Sequence, residues 1–146
     1  MEIKKGKVTN IRSSVEVSGG NYGIFVNTAQ VTLFSIDDYP VMMVNKRPPV
    51  IQEGNDVIVS GESKNGQLKA YAYHNLTTSS KGDKGYKRRF IGTLLFVLIG
   101  LYIWFYVPHD FGPIVKIVSA IFFSFGIYYF LMGKKILQAV KNVEQL

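Results

Sequence analysis

Two regimes of hydrophobic patterning divide the chain. Through the first eighty positions, apolar and polar residues alternate in short bursts such as SVEVSG, DVIVSGE and QLKAYAYHNLT. A period of two sends successive side chains to opposite faces, so these bursts predict strands rather than helices. From Phe90 the alternation stops. FIGTLLFVLIGLYIWFYV runs to Val107 without a charge, and FGPIVKIVSAIFFSFGIYYFLMG runs from Phe111 to Gly133 with Lys116 as its one interruption.

The strand reading covers EIKKGKVTNI, SVEVSG, YGIFVNT, AQVTLFSI, PVMMV, DVIVSGE and QLKAYAYHNLT. Turn signals separate several of them: Gly19-Gly20-Asn21, Asp37-Asp38, Arg47-Pro48-Pro49, Glu53-Gly54-Asn55 and Lys64-Asn65-Gly66. Asn65-Gly66 is the most specific, because Asn-Gly between alternating runs favours a tight hairpin. Gly61, inside the preceding strand, predicts a bulge or a barrel corner. Strands this short and this few must hide their edges, and closure into a small barrel does so. The phrase EGNDVIVSGESKNGQLKAYAYHN resembles the closing hairpin of OB-type barrels. Over residues 5–78 the layout resembles the NfeD-like proteins, which join membrane helices to a small OB barrel. There the barrel follows the spans; here it precedes them. The resemblance implies an architecture and assigns no site residue.

Each long apolar run meets the roughly 20 residues a helix needs to cross a bilayer core of about 30 Å. Lipid leaves backbone groups no partner but their own segment, so two helices are the economical reading. Between them, Pro108-His109-Asp110-Phe111-Gly112-Pro113 reads as a hairpin tip. Trp104, Phe105, Tyr106 and Phe111 gather at the tip, and Tyr128, Tyr129 and Phe130 at the other end, as interfacial aromatic belts would. Lys116 is close enough to the tip to snorkel to that interface; an ion-path role is the alternative. Lys81, Lys84, Lys87, Arg88 and Arg89 precede the first span, and Lys134 and Lys135 follow the second, forming a basic membrane collar. The positive-inside rule then places both termini in the cytoplasm, as in a bacterial inner-membrane protein. MEIKKGKVTN lacks the apolar core of a signal peptide, so the first span is expected to direct insertion. Gly92 with Gly100, and Ala120 with Ser124, are small residues spaced to let helices approach closely.

The expected organisation is therefore a mainly β soluble domain, a small OB-like barrel over residues 1–78, followed by an α-helical transmembrane hairpin. A basic juxtamembrane linker occupies 79–89 and the two spans lie at 90–107 and 111–133. The tail, 134–146, carries Ile136, Leu137, Val140 and Val143 at helical spacing. It reads as an amphipathic surface helix or as an extension of the second span.

Charge sharpens this picture through its distribution. The net charge is +7, yet residues 1–80 hold eight Lys/Arg against seven Asp/Glu. A barrel at +1 is poor in the phosphate-neutralising charge on which non-specific nucleic-acid binding rests. Tyr22, Phe25, Phe34, Tyr39, Tyr71 and Tyr73 could stack bases, although alternation puts Tyr71 and Tyr73 together on one face, as barrel wall. Anionic headgroups are the better polyanion for the collar. The chain has no cysteine, which removes disulfides and thiolate chemistry. His74 and His109 fall on opposite sides of the expected bilayer, so they form no metal site or triad. Asp37-Asp38 in SIDDYP is turn chemistry, Gly19-Gly20 belongs to a hairpin, and Asn75-Leu76-Thr77 spells a glycosylation sequon that would go unused in the cytoplasm. No catalytic constellation and no cofactor site emerge. The sequence points to a non-catalytic membrane protein whose barrel presents a surface, with Tyr22, Tyr39, Lys46 and Arg47 as candidate contacts, to a protein partner or a second copy. The alternative is a sensor or effector whose barrel binds nucleic acid or a small ligand and whose hairpin oligomerises to perturb the membrane.

Overall fold

A computed structural model describes residues 1–19, 26–107 and 113–145. Strands β1 (Glu2–Gly19), β2 (Val26–Ile36) and β3 (Tyr39–Asn45) form an antiparallel meander. Strands β4 (Asp56–Lys64) and β5 (Gln67–Asn75) form a hairpin, and β4 pairs with the start of β1, from Glu2↔Gly61 to Lys7↔Asp56. A short parallel pairing, Val41↔Leu68 to Met43↔Ala70, joins β3 to β5 and closes the sheet into a five-stranded barrel. The order around it is β1-β2-β3-β5-β4. Two tight turns carry the reversals. Asp37 and Asp38, and then Asn65 and Gly66, all take positive φ, the primed geometry that matches strand twist.

Alternation does most of the sorting. Val8, Phe34, Ile36, Met43, Val59 and Leu68 are among the residues that fill the interior, and all are nearly or wholly buried. Where alternation alone would mislead, two bulges intervene. EIKKGKVTNI and SVEVSG form one strand rather than two, because Asn10, at φ 55, absorbs a register shift between the Thr9 and Arg12 pairs. YGIFVNT and AQVTLFSI likewise merge into β2 from Val26 onward; Gly20 to Phe25 lie outside the described residues.

The second bulge carries more weight. Ser60 pairs with Ala72 but Gly61 with Ala70, which leaves Tyr71 as the extra residue. The phase of β5 is reset there. Tyr73 joins the interior and its hydroxyl accepts from Val50 N (3.0 Å), whereas the Tyr71 hydroxyl donates to Glu62 Oε2 (2.7 Å). The expectation that Tyr71 and Tyr73 share a face is therefore corrected. Gly61 marks the bulge as expected: a Cβ there would run into the Lys69 carbonyl across the strand pair.

The stretch read as a polar linker also differs. Ser80–Asp83 is a sixth strand, β6, paired with β5 from Ala72↔Asp83 to Asn75↔Ser80. Its composition hides it, since Ser-Lys-Gly-Asp has no strand propensity. What orders it is the free edge of β5 beyond the parallel pairing, together with Gly82, whose missing Cβ makes room for the Tyr73 ring.

The chain divides into two compact units, Met1–Lys84 with Gln138–Leu146, and Gly85–Leu137. In the second, helices α1 (Tyr86–Tyr106) and α2 (Pro113–Glu144) pair as an antiparallel hairpin. Both are long and apolar enough to cross a membrane, with mean hydropathy 1.8 and 1.9, and their large side chains are mostly exposed. Helix α2 continues unbroken to Glu144, beyond the apolar stretch. Its last turns belong to the barrel unit. Asn142 donates to Ser60 Oγ on the outer wall (3.3 Å), with Ala139 and Val143 buried beside it.

Candidate functional site

Among the described residues no group of three or more His, Asp or Glu is placed to hold a metal ion. The features with functional content are instead two surfaces and one helix seam.

The basic collar is divided between the units. Lys81 lies on β6, 4.0 Å from Glu144 Oε1, and Lys84 donates its backbone N–H to Tyr71 O (2.9 Å) with its ammonium 5.6 Å from that ring. Both are thus tied to the barrel. Lys87, Arg88, Arg89, Lys134 and Lys135 belong to the helical unit. Arg89 lies over the Tyr129 ring at 5.2 Å and Lys134 over Phe130 at 5.8 Å. These contacts put cations and aromatics at one end of the hairpin, where α1 begins and α2 leaves the apolar stretch. Asp110 is the sole carboxylate between Gly85 and Leu137 in the sequence.

The helix seam follows glycine. A Cβ on Gly92 would press on the Tyr129 ring, one on Gly100 on Phe123, and one on Gly126 on Val97. Gly133 meets Arg89 and Phe90 in the same way. At the centre, buried Ser119 donates its hydroxyl to the carbonyl of Gly100 across the seam (2.9 Å). Phe96 fills the space above, with its ring 5.3 to 6.0 Å from those of Tyr129, Phe125 and Phe122. Gly92 and Gly100 thus both lie on the face of α1 turned to α2. Ala120 and Ser124 do not meet α1. They are exposed on the outer face of α2, where the Ser124 hydroxyl returns to the Ala120 carbonyl (2.9 Å).

The small residues that matter on α2 are Ser119, Gly126 and Gly133, seven apart, and that spacing was the readable signal. Leucine at Gly100 is expected to push the helices apart and raise proteolysis of the hairpin in detergent. Ser119→Ala, which removes one interhelical bond of about 0.6 kcal/mol, should leave it nearly intact. Equal proteolysis of both variants would show that close backbone approach is not what holds the seam.

The candidate barrel contacts separate. Tyr39 is half-buried against the interior, its hydroxyl 2.9 Å from Ser63 Oγ and its ring under the Lys4 ammonium (4.2 Å). It is part of the wall. Lys46 and Arg47 are exposed in the segment between β3 and β4, and Tyr22 lies outside the described residues. Of the other aromatics weighed for base stacking, Phe34 and Tyr73 are interior and Tyr71 is held by Glu62; Phe25 is outside the described residues.

One arrangement the sequence did not announce is the polar clamp under the β3–β4 segment. Asn75 is fully buried at the end of β5. Its Nδ2 donates to Val50 O (2.9 Å) and Asn55 Oδ1 (2.8 Å), and its Oδ1 accepts from Thr77 N (3.0 Å) and Thr78 N (3.2 Å). Asn55 Oδ1 in turn accepts from Gln52 N (2.9 Å). The loop that carries Lys46 and Arg47 is thereby anchored at its far end.

No family model matches the chain, and no curated protein or solved structure matches it either.

Proposed function

We propose that the chain is a non-catalytic integral membrane protein that uses its helical hairpin to hold an interaction barrel at the cytoplasmic face of a membrane, as an accessory or scaffold subunit. The single observation that carries this is the pair of apolar helices, whose outward side chains, such as Ile91, Leu94, Leu98 and Phe105, are exposed to 53% or more. A soluble protein does not leave so large a contiguous apolar surface open; lipid is the solvent that suits it. The cations at the start of α1 and at Lys134-Lys135 then sit at the level of the headgroups. The barrel supports a binding role through its exposed, clamp-anchored β3–β4 segment with Lys46 and Arg47. The packed state of Phe34, Tyr39, Tyr71 and Tyr73 speaks against base stacking as that role.

Because the chain has no cysteine, single introduced thiols report topology directly. Ser79→Cys in intact cells should stay dark to a membrane-impermeant maleimide, and His109→Cys should label. Recovery of the protein in the soluble fraction would overturn the anchor, and the reverse labelling pattern would overturn the orientation. A photocrosslinker at Arg47 should then capture a recurrent protein.

A further inference from the structure

The barrel's longest strand leaves half of one edge open. Strand β4 covers β1 only from Glu2 to Lys7, and the loop before β4 continues that cover with bonds between Val8 and both Gly54 and Asn55. Ile11 N donates to Glu53 Oε1 (3.3 Å), and there the cover ends. From Arg12 to Gly19 the strand is paired, among the described residues, with β2 alone. Strand β3 reaches only as far as Gln30, so beyond Val15 the β1–β2 ribbon has no flanking strand on either side among the described residues. Arg12 through Glu16 are all exposed, Val15 at 56%. A ribbon of two strands is marginal by itself, and an uncovered edge is a template for another strand.

The side chains along this edge are self-complementary. Arg12 and Glu16 share a face, four residues apart, which is about 13 Å along a strand and too far for them to reach each other. Neither has an ion-pair partner among the described residues. We infer that this edge is the interface with a second copy of the chain, paired antiparallel about a two-fold axis through Ser14. In that register Arg12 lies opposite Glu16 of the partner subunit, and Glu16 opposite the partner's Arg12. Ser13 lies opposite Val15 of the partner subunit. Every charge on the edge meets its opposite, and the same patch serves both chains, as a two-fold interface requires. The backbone groups of Ser13 and Val15 that face away from β2 bond across the junction, and the two ribbons become one continuous sheet. This assignment goes beyond membrane tethering and does not depend on it, since it rests on β1 alone.

Ser14→Cys tests it in the full-length chain, in detergent micelles. The new thiol is the only one present and sits on the axis, where facing strands bring Cα atoms within disulfide range. Mild oxidation is expected to give a disulfide dimer. Arg12→Glu added to Ser14→Cys sets Glu against Glu and should lower the dimer yield several-fold, and adding Glu16→Arg as well should restore it. A folded Ser14→Cys protein that stays monomeric on oxidation would overturn the proposal. So would a dimer yield indifferent to both charge changes, or efficient crosslinking through Ala120→Cys on α2 in place of Ser14→Cys.

Discussion

Replacing Asn75 with alanine is expected to lower the stability of the barrel by about 2–3 kcal/mol, the upper part of the ordinary range for a single substitution that breaks a buried hydrogen-bond network. The side chain satisfies four groups at once, two through its amide and two through its carbonyl. Alanine takes this partner from the Thr77 and Thr78 N–H groups, while Val50 O keeps the Ser80 hydroxyl (3.3 Å) and Asn55 Oδ1 keeps Gln52 N (2.9 Å). Each group that stays buried and unpaired costs about 1–3 kcal/mol. Thr77 and Thr78 are exposed and can turn to water, so the cost falls mainly on Val50 O and Asn55 Oδ1, each of which loses one of two bonds. A domain of this size has on the order of 5–10 kcal/mol in total. The measurement is a urea titration of the full-length chain in detergent, followed by hydrogen exchange at residues 50–58 and 72–78. Exchange should accelerate first in the β3–β4 segment, ahead of β1 and β2. A loss under about 1 kcal/mol would show that water replaces the amide and that the segment is not held from Asn75.

The same residue shows where the sequence stopped being legible. Asn75-Leu76-Thr77 reads locally as a sequon or a turn, and nothing in the neighbouring residues betrays that its partners are Val50 and Asn55. Such long-range polar contacts leave no period in the sequence. What does leave a period was read well. Alternation marked the interior positions of β3 and β4, the Asn65-Gly66 turn declared its hairpin, and the apolar runs declared two helices.

Errors arose where one residue breaks a period. Asn10 and Tyr71 each add a residue to a strand, so a strand was split at the first and two tyrosines were put on one face across the second. β6 was missed for a different reason: an edge strand stapled by backbone bonds needs no hydrophobic pattern. Among the candidate site residues, Gly92 and Gly100 lie on the seam, where close helix packing favours small side chains. Ala120 and Ser124 lie exposed on α2, since the small-residue rule says which residues permit close approach without saying which face the partner takes.

The second large effect is expected at Gly61. A Cβ on this residue would enter the Lys69 carbonyl and crowd the Ala70 Cα, both backbone atoms of the neighbouring strand. A side chain in the way could turn aside, but these atoms cannot move without opening the β4–β5 ladder. Gly61→Ala is therefore expected to cost about 3 kcal/mol, the upper end for overpacking, and Gly61→Val more. The alternative to opening is for β5 to slip by one residue and expel the bulge. A slip by one turns every later side chain to the other face of the sheet. Tyr73 and Asn75 would leave the interior, and Ala72 and His74 would enter it. Slippage thus destroys the Val50 and Asn55 contacts as well, which is why no cheap escape exists. Both variants should show lower urea midpoints in the full-length chain, and in Gly61→Ala the hydrogen bond from Val50 N to the Tyr73 hydroxyl should be lost early, seen as fast exchange at Val50. A Gly61→Ala midpoint within about 0.5 kcal/mol of the parent would mean that β4 and β5 can part at Gly61 without cost. The phase of β5, and with it the interior position of Tyr73, would then have to be set from the β3 and β6 sides instead.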